Sequence, residues 1–252
     1  MPRPALIAVQ FLTCIPVRLD PAPVGREVGL SLLWYPPVGL LIGVIVWVTA
    51  ILFSQLATLL AAALVLAVWL LLTGVLHLEG FADVADAWVG GHGDRERTLA
   101  IMKDTHVGPV AVAAVVCLLL IKFSALAALL ARGTVSWTNL HFACGCIVPP
   151  LLARTAVPLL FAHTTYVRAQ GIGADLAEYQ SRIGGRCVTA CTALAVVAAW
   201  GLTGLLASTA AAVVYLLMRG AFIRRLGGIT GDCIGAMIEV IEALTLVVIV
   251  SS

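Results

Sequence analysis

The sequence predicts an all-α, polytopic helical bundle embedded in a lipid bilayer. Of the 252 residues, 62% are hydrophobic and only 11% charged, whereas soluble domains carry about a quarter charged residues. Mean hydropathy is +1.08. The apolar residues are gathered into about seven runs close to the roughly 20 residues that a membrane-spanning helix needs.

The N-terminal stretch MPRPALIAVQFLTCIPVRL is too short and too interrupted by proline to span. It has no small-residue cleavage site, so it is expected to lie in the interface. Spanning helices are expected over 28–53, 57–78, 108–131, 137–161, 187–206, 208–222 and 234–251, the sixth being short. Between the second and third, DRERTLAIMKDTHVGP (Asp94–Pro109) predicts a short amphipathic surface helix carrying Leu99 and Met102 on its apolar side. Gly39 and Gly43 fit close helix packing, within the chain or between subunits. The seven cysteines are scattered, odd in number and lack C-x-x-C spacing, so they read as small apolar side chains rather than a framework. With no repeat and no low-complexity segment, residues 1–252 read as one integral membrane domain.

Basic residues set the topology. The N-terminus and the loops near 79–107, 162–186 and 219–233 share one side, which holds Arg3, Arg18, Arg26, Arg95, Arg97, Lys103, Arg168, Arg182, Arg186, Arg219, Arg224 and Arg225. The opposite loops, near 54–56, 132–136 and 207, hold only Arg132. Positive charge marks the cytoplasmic side. All thirteen acids also avoid the outer loops. Acids do little to set topology, so their distribution points to chemistry on the cytoplasmic face.

In HLEGFADVADAW (His77–Trp88), a helix puts Glu79, Asp83 and Asp86 within about 60° of one face. Three like charges at the edge of lipid repel and are costly to desolvate. A divalent cation resolves both problems, and Mg²⁺ takes one or two carboxylates plus substrate phosphates and water. In GGITGDCIGAMIEVIEAL (Gly227–Leu244), Asp232, Glu239 and Glu242 span about 80° of a face that also carries Gly235. The glycines before Asp232 read either as helix punctuation or as a loop that lets a phosphate approach. Glu239 and Glu242 fall inside the last span, where ionisable groups are either functional or paired with Arg or Lys. Lys103 and Asp104, with His106 close by, follow the surface helix, and basic groups beside carboxylates suit a diphosphate. His77, His92 and His106 stay open as ligands or bases.

HLEGFADVADAW, RERTLAIMKDTHVGP and RRLGGITGDCIGAMIEVIE, in this order and spacing, resemble the cobalamin synthase family, the adenosylcobinamide-GDP ribazoletransferases. QFLTCIPV and WYPPVGLLIG near the start and LLART at Leu151–Thr155 extend the resemblance over nearly the whole chain. It implies an Mg²⁺-dependent transferase in the cytoplasmic membrane of a bacterium or archaeon. Such an enzyme joins adenosylcobinamide-GDP to α-ribazole or its 5′-phosphate and releases GMP. Its partners are those small molecules and the lipid bilayer, with a homo-oligomer or a pathway-enzyme complex also in keeping and no nucleic acid.

The resemblance places Glu79, Asp83, Asp86 and Asp232 at the metal, and Asp83, Asp86, Asp104 and Asp232 in catalysis. It places Lys103, His106, Arg154, Gly231, Glu239 and Glu242 on substrate. The site is expected where the cytoplasmic ends of the second, third and last spans converge. Typical members read HLDGLADTADG and KDSRIG, so Glu79 stands at an Asp, Ala87 at a Gly and His106 at an Arg. Cys14 stands at the Arg of FLTRLP-like sequences. No core acidic position is lost. Two other readings use the same acids. A secondary transporter predicts charges near the midplane and two matching halves. A CDP-alcohol phosphotransferase expects an Arg that does not follow Asp86, and an aspartate-rich prenyltransferase expects paired motifs containing Asn.

Overall fold

The computed structural model describes residues 2–132 and 135–252; Met1, Gly133 and Thr134, and with them part of the expected loop at 132–136, lie outside the described residues. Regular structure among the described residues is helical, apart from an isolated bridge between Tyr166 and Ile229. The chain runs through α1 (Arg3–Leu12), α2 (Gly25–Ser31), a 3₁₀ turn (Leu32–Trp34), α3 (Tyr35–Leu52), α4 (Thr58–Leu72) and α5 (Leu76–Gly90). It continues with α6 (Arg95–Ile101), α7 (Pro109–Ala131), α8 (Leu140–His163), α9 (Ile172–Tyr179), α10 (Arg182–Leu226) and α11 (Gly231–Ser251).

Among the described residues, five helical stretches are long and apolar enough to cross a membrane: Gly25–Leu52, α7, α8, α10 and α11. The pair α4 and α5 qualifies together, bent by 90° at its break. The bend follows from Gly74 and Val75, which take φ 63° and 61° and so interrupt the right-handed helix. The second span, expected over 57–78, is broken there, and the acidic motif sits on its own tilted helix.

Helix α10 is in fact two antiparallel arms. Gly201 takes φ 56° and ψ −128°, a conformation open to glycine because it lacks a Cβ. The chain reverses so sharply there that a Cβ on Gly204 would lie 2.4 Å from the Val196 carbonyl oxygen. The turn expected at 207 therefore falls at Gly201, and the short sixth span lengthens to 202–226. Counting the two arms separately and the bent pair once gives the seven spans that the sequence predicts.

Helix α8 is the axis of the bundle, buried over nearly its whole length despite Pro149, Pro150 and Pro158 within it. Helix α3 lies directly on it. A Cβ on Gly39 would meet the Pro150 carbonyl oxygen at 2.5 Å, and one on Gly43 the Ile147 Cα at 2.7 Å. These glycines serve packing inside the chain, as small residues do between membrane helices. Gly43→Val is expected to lower stability by about 1–3 kcal/mol through overpacking, read as a lower unfolding midpoint in detergent.

The N-terminal segment folds as α1, with Ala5, Ile7, Ala8, Val9 and Leu12 turned inward. Arg3 Nε ties it to Glu27 Oε1 of α2 at 2.9 Å. Helix α6 starts where Asp94 Oδ1 accepts from the Arg97 N–H at 2.7 Å, an N-cap of the usual kind. Helix α9 has no counterpart in the sequence reading, because its eight residues are too few for a clear period.

Candidate active site

The acidic helix α5 and the start of α11 meet backbone to backbone. A Cβ on Gly80 would lie 2.9 Å from the Asp232 Cα, and one on Gly235 would lie 2.9 Å from the His77 carbonyl oxygen. Two glycines on facing helices allow this approach, and it brings the acids of two distant motifs to one place. Glu79, Asp83, Asp232 and Gly231 line a common cavity of about 290 Å³. Glu79 and Asp83 also line a second, more open cavity of about 610 Å³ with Lys103, Asp104 and Arg168. These two carboxylates are thus a shared wall between two compartments. A third cavity, of about 500 Å³, lies beside them, sharing Phe161 and Tyr166 with the first and Arg168 with the second.

Arg168 is the residue that sequence reasoning passed over. Its Nη2 donates to Asp232 Oδ2 at 2.6 Å and to the Met102 carbonyl at 3.3 Å, joining α11 to the end of α6. Its Nε is buried without a hydrogen-bond partner. The loop carrying it is pinned to the glycine loop before α11: Val167 N–H donates to the Ile229 carbonyl and Ile229 N–H to the Thr165 carbonyl, each at 2.9 Å. Tyr166 in the same loop is half-buried, and that burial raises its phenol above the ordinary value, so it remains a hydrogen-bond donor at neutral pH. The only sequence signal was that Arg168 belonged to the basic side.

The remaining expected residues separate into groups. Lys103 and Asp104 are at the site, on the wall of the open cavity. His106 lines none of the three cavities and is exposed, with its Nδ1 2.6 Å from Asp104 Oδ1. Hydrogen bonds from the His106 ring and backbone hold the Asp104 carboxyl below its usual range, so it stays ionised. His77 lines the smallest of the three cavities, and His92 lies at the exposed turn after α5.

Asp86, expected at the metal, is used differently. Its Oδ2 accepts from Gly108 N–H at 2.6 Å and its Oδ1 from Ala111 N–H at 2.8 Å, so it caps the first turn of α7 and lines none of the three cavities. The orphan amides of a helix start and its positive dipole end account for this use of a carboxylate.

Arg154, Glu239 and Glu242, expected on substrate, are instead paired inside the bundle. Lys122 Nζ of α7 is 2.6 Å from both Glu239 Oε2 and Glu242 Oε2 of α11. Arg154 of α8 pairs with the other oxygen of Glu242. All four are at most 2% exposed. Charges cut off from water persist only when paired, and this cluster fastens three spans together. Lys122, mid-span in the sequence, is the partner that the sequence could not assign.

Among the described residues, no group of three or more His, Cys, Asp or Glu side chains is gathered to hold a metal ion. The donor set still fits a hard cation. The carboxylates of Glu79 and Asp83 form no hydrogen bond or ion pair within the protein, and both border two cavities. A cation such as Mg²⁺ needs only one or two such carboxylates when phosphates and water complete its shell.

The cobalamin-5-phosphate synthase family matches residues 4–250. An adenosylcobinamide-GDP ribazoletransferase of Stutzerimonas stutzeri is 48% identical over 244 residues, covering 97% of this chain and 96% of the relative. One of Pseudomonas fluorescens strain Pf-5 is 47% identical over 96% of this chain and 97% of its own length. One of Pseudomonas aeruginosa strain PAO1 is 46% identical over 97% and 96%. No solved structure matches the chain. A helical membrane bundle with two acidic motifs brought to one cavity wall, matched from end to end, therefore belongs to the cobalamin-5-phosphate synthase family.

Proposed function

We propose that the protein is an adenosylcobinamide-GDP ribazoletransferase of the cytoplasmic membrane, working at its cytoplasmic face. The orientation rests on the basic residues, which crowd the end of the bundle where the cavities lie. The observation that carries the activity is the wall of Glu79 and Asp83 between two compartments. A transferase must hold a donor and an acceptor on either side of the atoms that exchange.

In this reading a ribose hydroxyl of α-ribazole, or of its 5′-phosphate, attacks the phosphorus that bears the corrinoid arm. The new bond is oxygen to phosphorus, the bond to GMP breaks, GMP leaves with the electron pair, and the hydroxyl proton is released. Glu79 and Asp83 would hold Mg²⁺, which supplies charge neutralisation on the diphosphate. Lys103 and Arg168 bind phosphate oxygens from the open cavity. Asp232 holds Arg168 in place through the 2.6 Å ion pair. Asp104 stays anionic beside Lys103 and orients the loop that carries it.

The test is GMP release by detergent-purified protein supplied with adenosylcobinamide-GDP, α-ribazole and Mg²⁺. GMP and a cobalamin product are expected in equal amounts, lost with EDTA and restored by excess Mg²⁺. Folded protein that gives neither product under these conditions overturns the reading.

A further inference from the structure

We propose that the cavity of about 290 Å³ is the acceptor pocket, holding the benzimidazole and ribose of α-ribazole, while the nucleotide-bearing corrinoid stays on the open side of the Glu79–Asp83 wall. This rests on the function proposed above and assigns its two substrates to opposite sides of that wall.

Size separates the substrates first. The cavity is at the small end for ligand pockets, suited to a molecule of about twenty non-hydrogen atoms such as a benzimidazole riboside. A corrin ring with its side chains and nucleotide is several times larger, and only an open groove such as the one of about 610 Å³ can receive its reactive end.

Chemistry separates them again. The small cavity has aromatic residues from four places in the chain, Phe11, Tyr35, Phe161 and Tyr166, and no Lys or Arg. A planar, neutral heterocycle fits such a lining, and offset stacking against these rings stabilises it. The basic side chains suited to phosphate oxygens, Lys103 and Arg168, line the open cavity and not the small one.

Two variants and two readouts test this. Val157→Phe puts bulk into the cavity from α8, and Ile234→Phe does so from α11, where the side chain is half-buried. Each is expected to raise the KM for α-ribazole at least tenfold and leave the KM for adenosylcobinamide-GDP within twofold. In equilibrium dialysis without donor, wild-type protein is expected to bind α-ribazole saturably, and both variants more weakly. Size-exclusion elution in detergent checks folding, and Ile234→Phe decides the matter if Val157→Phe does not fold. A raised KM for adenosylcobinamide-GDP with that for α-ribazole unchanged, or unaltered α-ribazole binding in a folded variant, overturns the assignment. Wild-type protein that binds α-ribazole but makes no product would remove the proposed transfer and leave the pocket standing.

Discussion

Asp83→Asn is expected to lower kcat/KM for GMP release by at least about a hundredfold, the upper end of what losing even an indirect support of a metal costs. The folded structure should survive, because the Asp83 carboxylate makes no hydrogen bond or ion pair within the protein. What changes is the charge on the wall between the two cavities, and residual activity should need more Mg²⁺ to reach half-maximum. Asp86→Asn provides the contrast within the same helix. It leaves the wall intact and exchanges two charged acceptors at the start of α7 for one neutral one. Its expected cost is about 0.5–2 kcal/mol of stability, with activity within tenfold of wild type. GMP release and thermal unfolding, measured on both variants, check the pair. Equal catalytic loss in the two would return Asp86 to the metal.

The second large effect concerns stability. Lys122→Met leaves Glu239 buried without the cation it is ion-paired to and removes one of the two cations at Glu242. Breaking a buried pair from one side costs about 3–5 kcal/mol, since the charge left behind is not compensated. The double variant Lys122→Met, Glu239→Gln is expected to recover most of that, because Glu242 keeps Arg154 and the net charge of the cluster returns to balance. Denaturant midpoints in detergent measure both. A single variant as stable as wild type would mean that water reaches the cluster.

The spans were legible in the sequence because membrane insertion imposes a length and a composition that a single chain displays locally. The two acidic motifs were legible for the same reason: helical spacing alone placed Glu79 and Asp83 on one face and Asp232 on another. Contacts between distant residues were hidden. Nothing near Asp86 shows that the amides of Gly108 and Ala111 will take its charge. Glu239 and Glu242 carry the same periodic signal as Asp232, yet lie deeper in the bundle, where Lys122 and Arg154 claim them. Depth depends on where α11 starts, and the loop at Thr230, whose side chain caps Cys233, sets that start. Gly201 looked like any other small residue inside an apolar run, so the reversal there was assigned six residues late. Arg168 stands in a polar loop with no periodicity to interpret, and only the pairing of that loop with Ile229 gives it a place.

The contact between Gly80 and Gly235 has a consequence for motion. Most packed helices are separated by side chains, whose rotamers let the axes drift by an ångström or so as the layer between them rearranges. Where backbone meets backbone, no such layer exists, and the separation of Asp83 from Asp232 is fixed by the contact of main-chain atoms. The acidic half of the site is therefore a rigid anvil. Adjustment to a large ligand falls to the polar loops opposite it, the one carrying Lys103 and the one carrying Arg168, and tightening the site means bringing cations to fixed anions rather than the reverse.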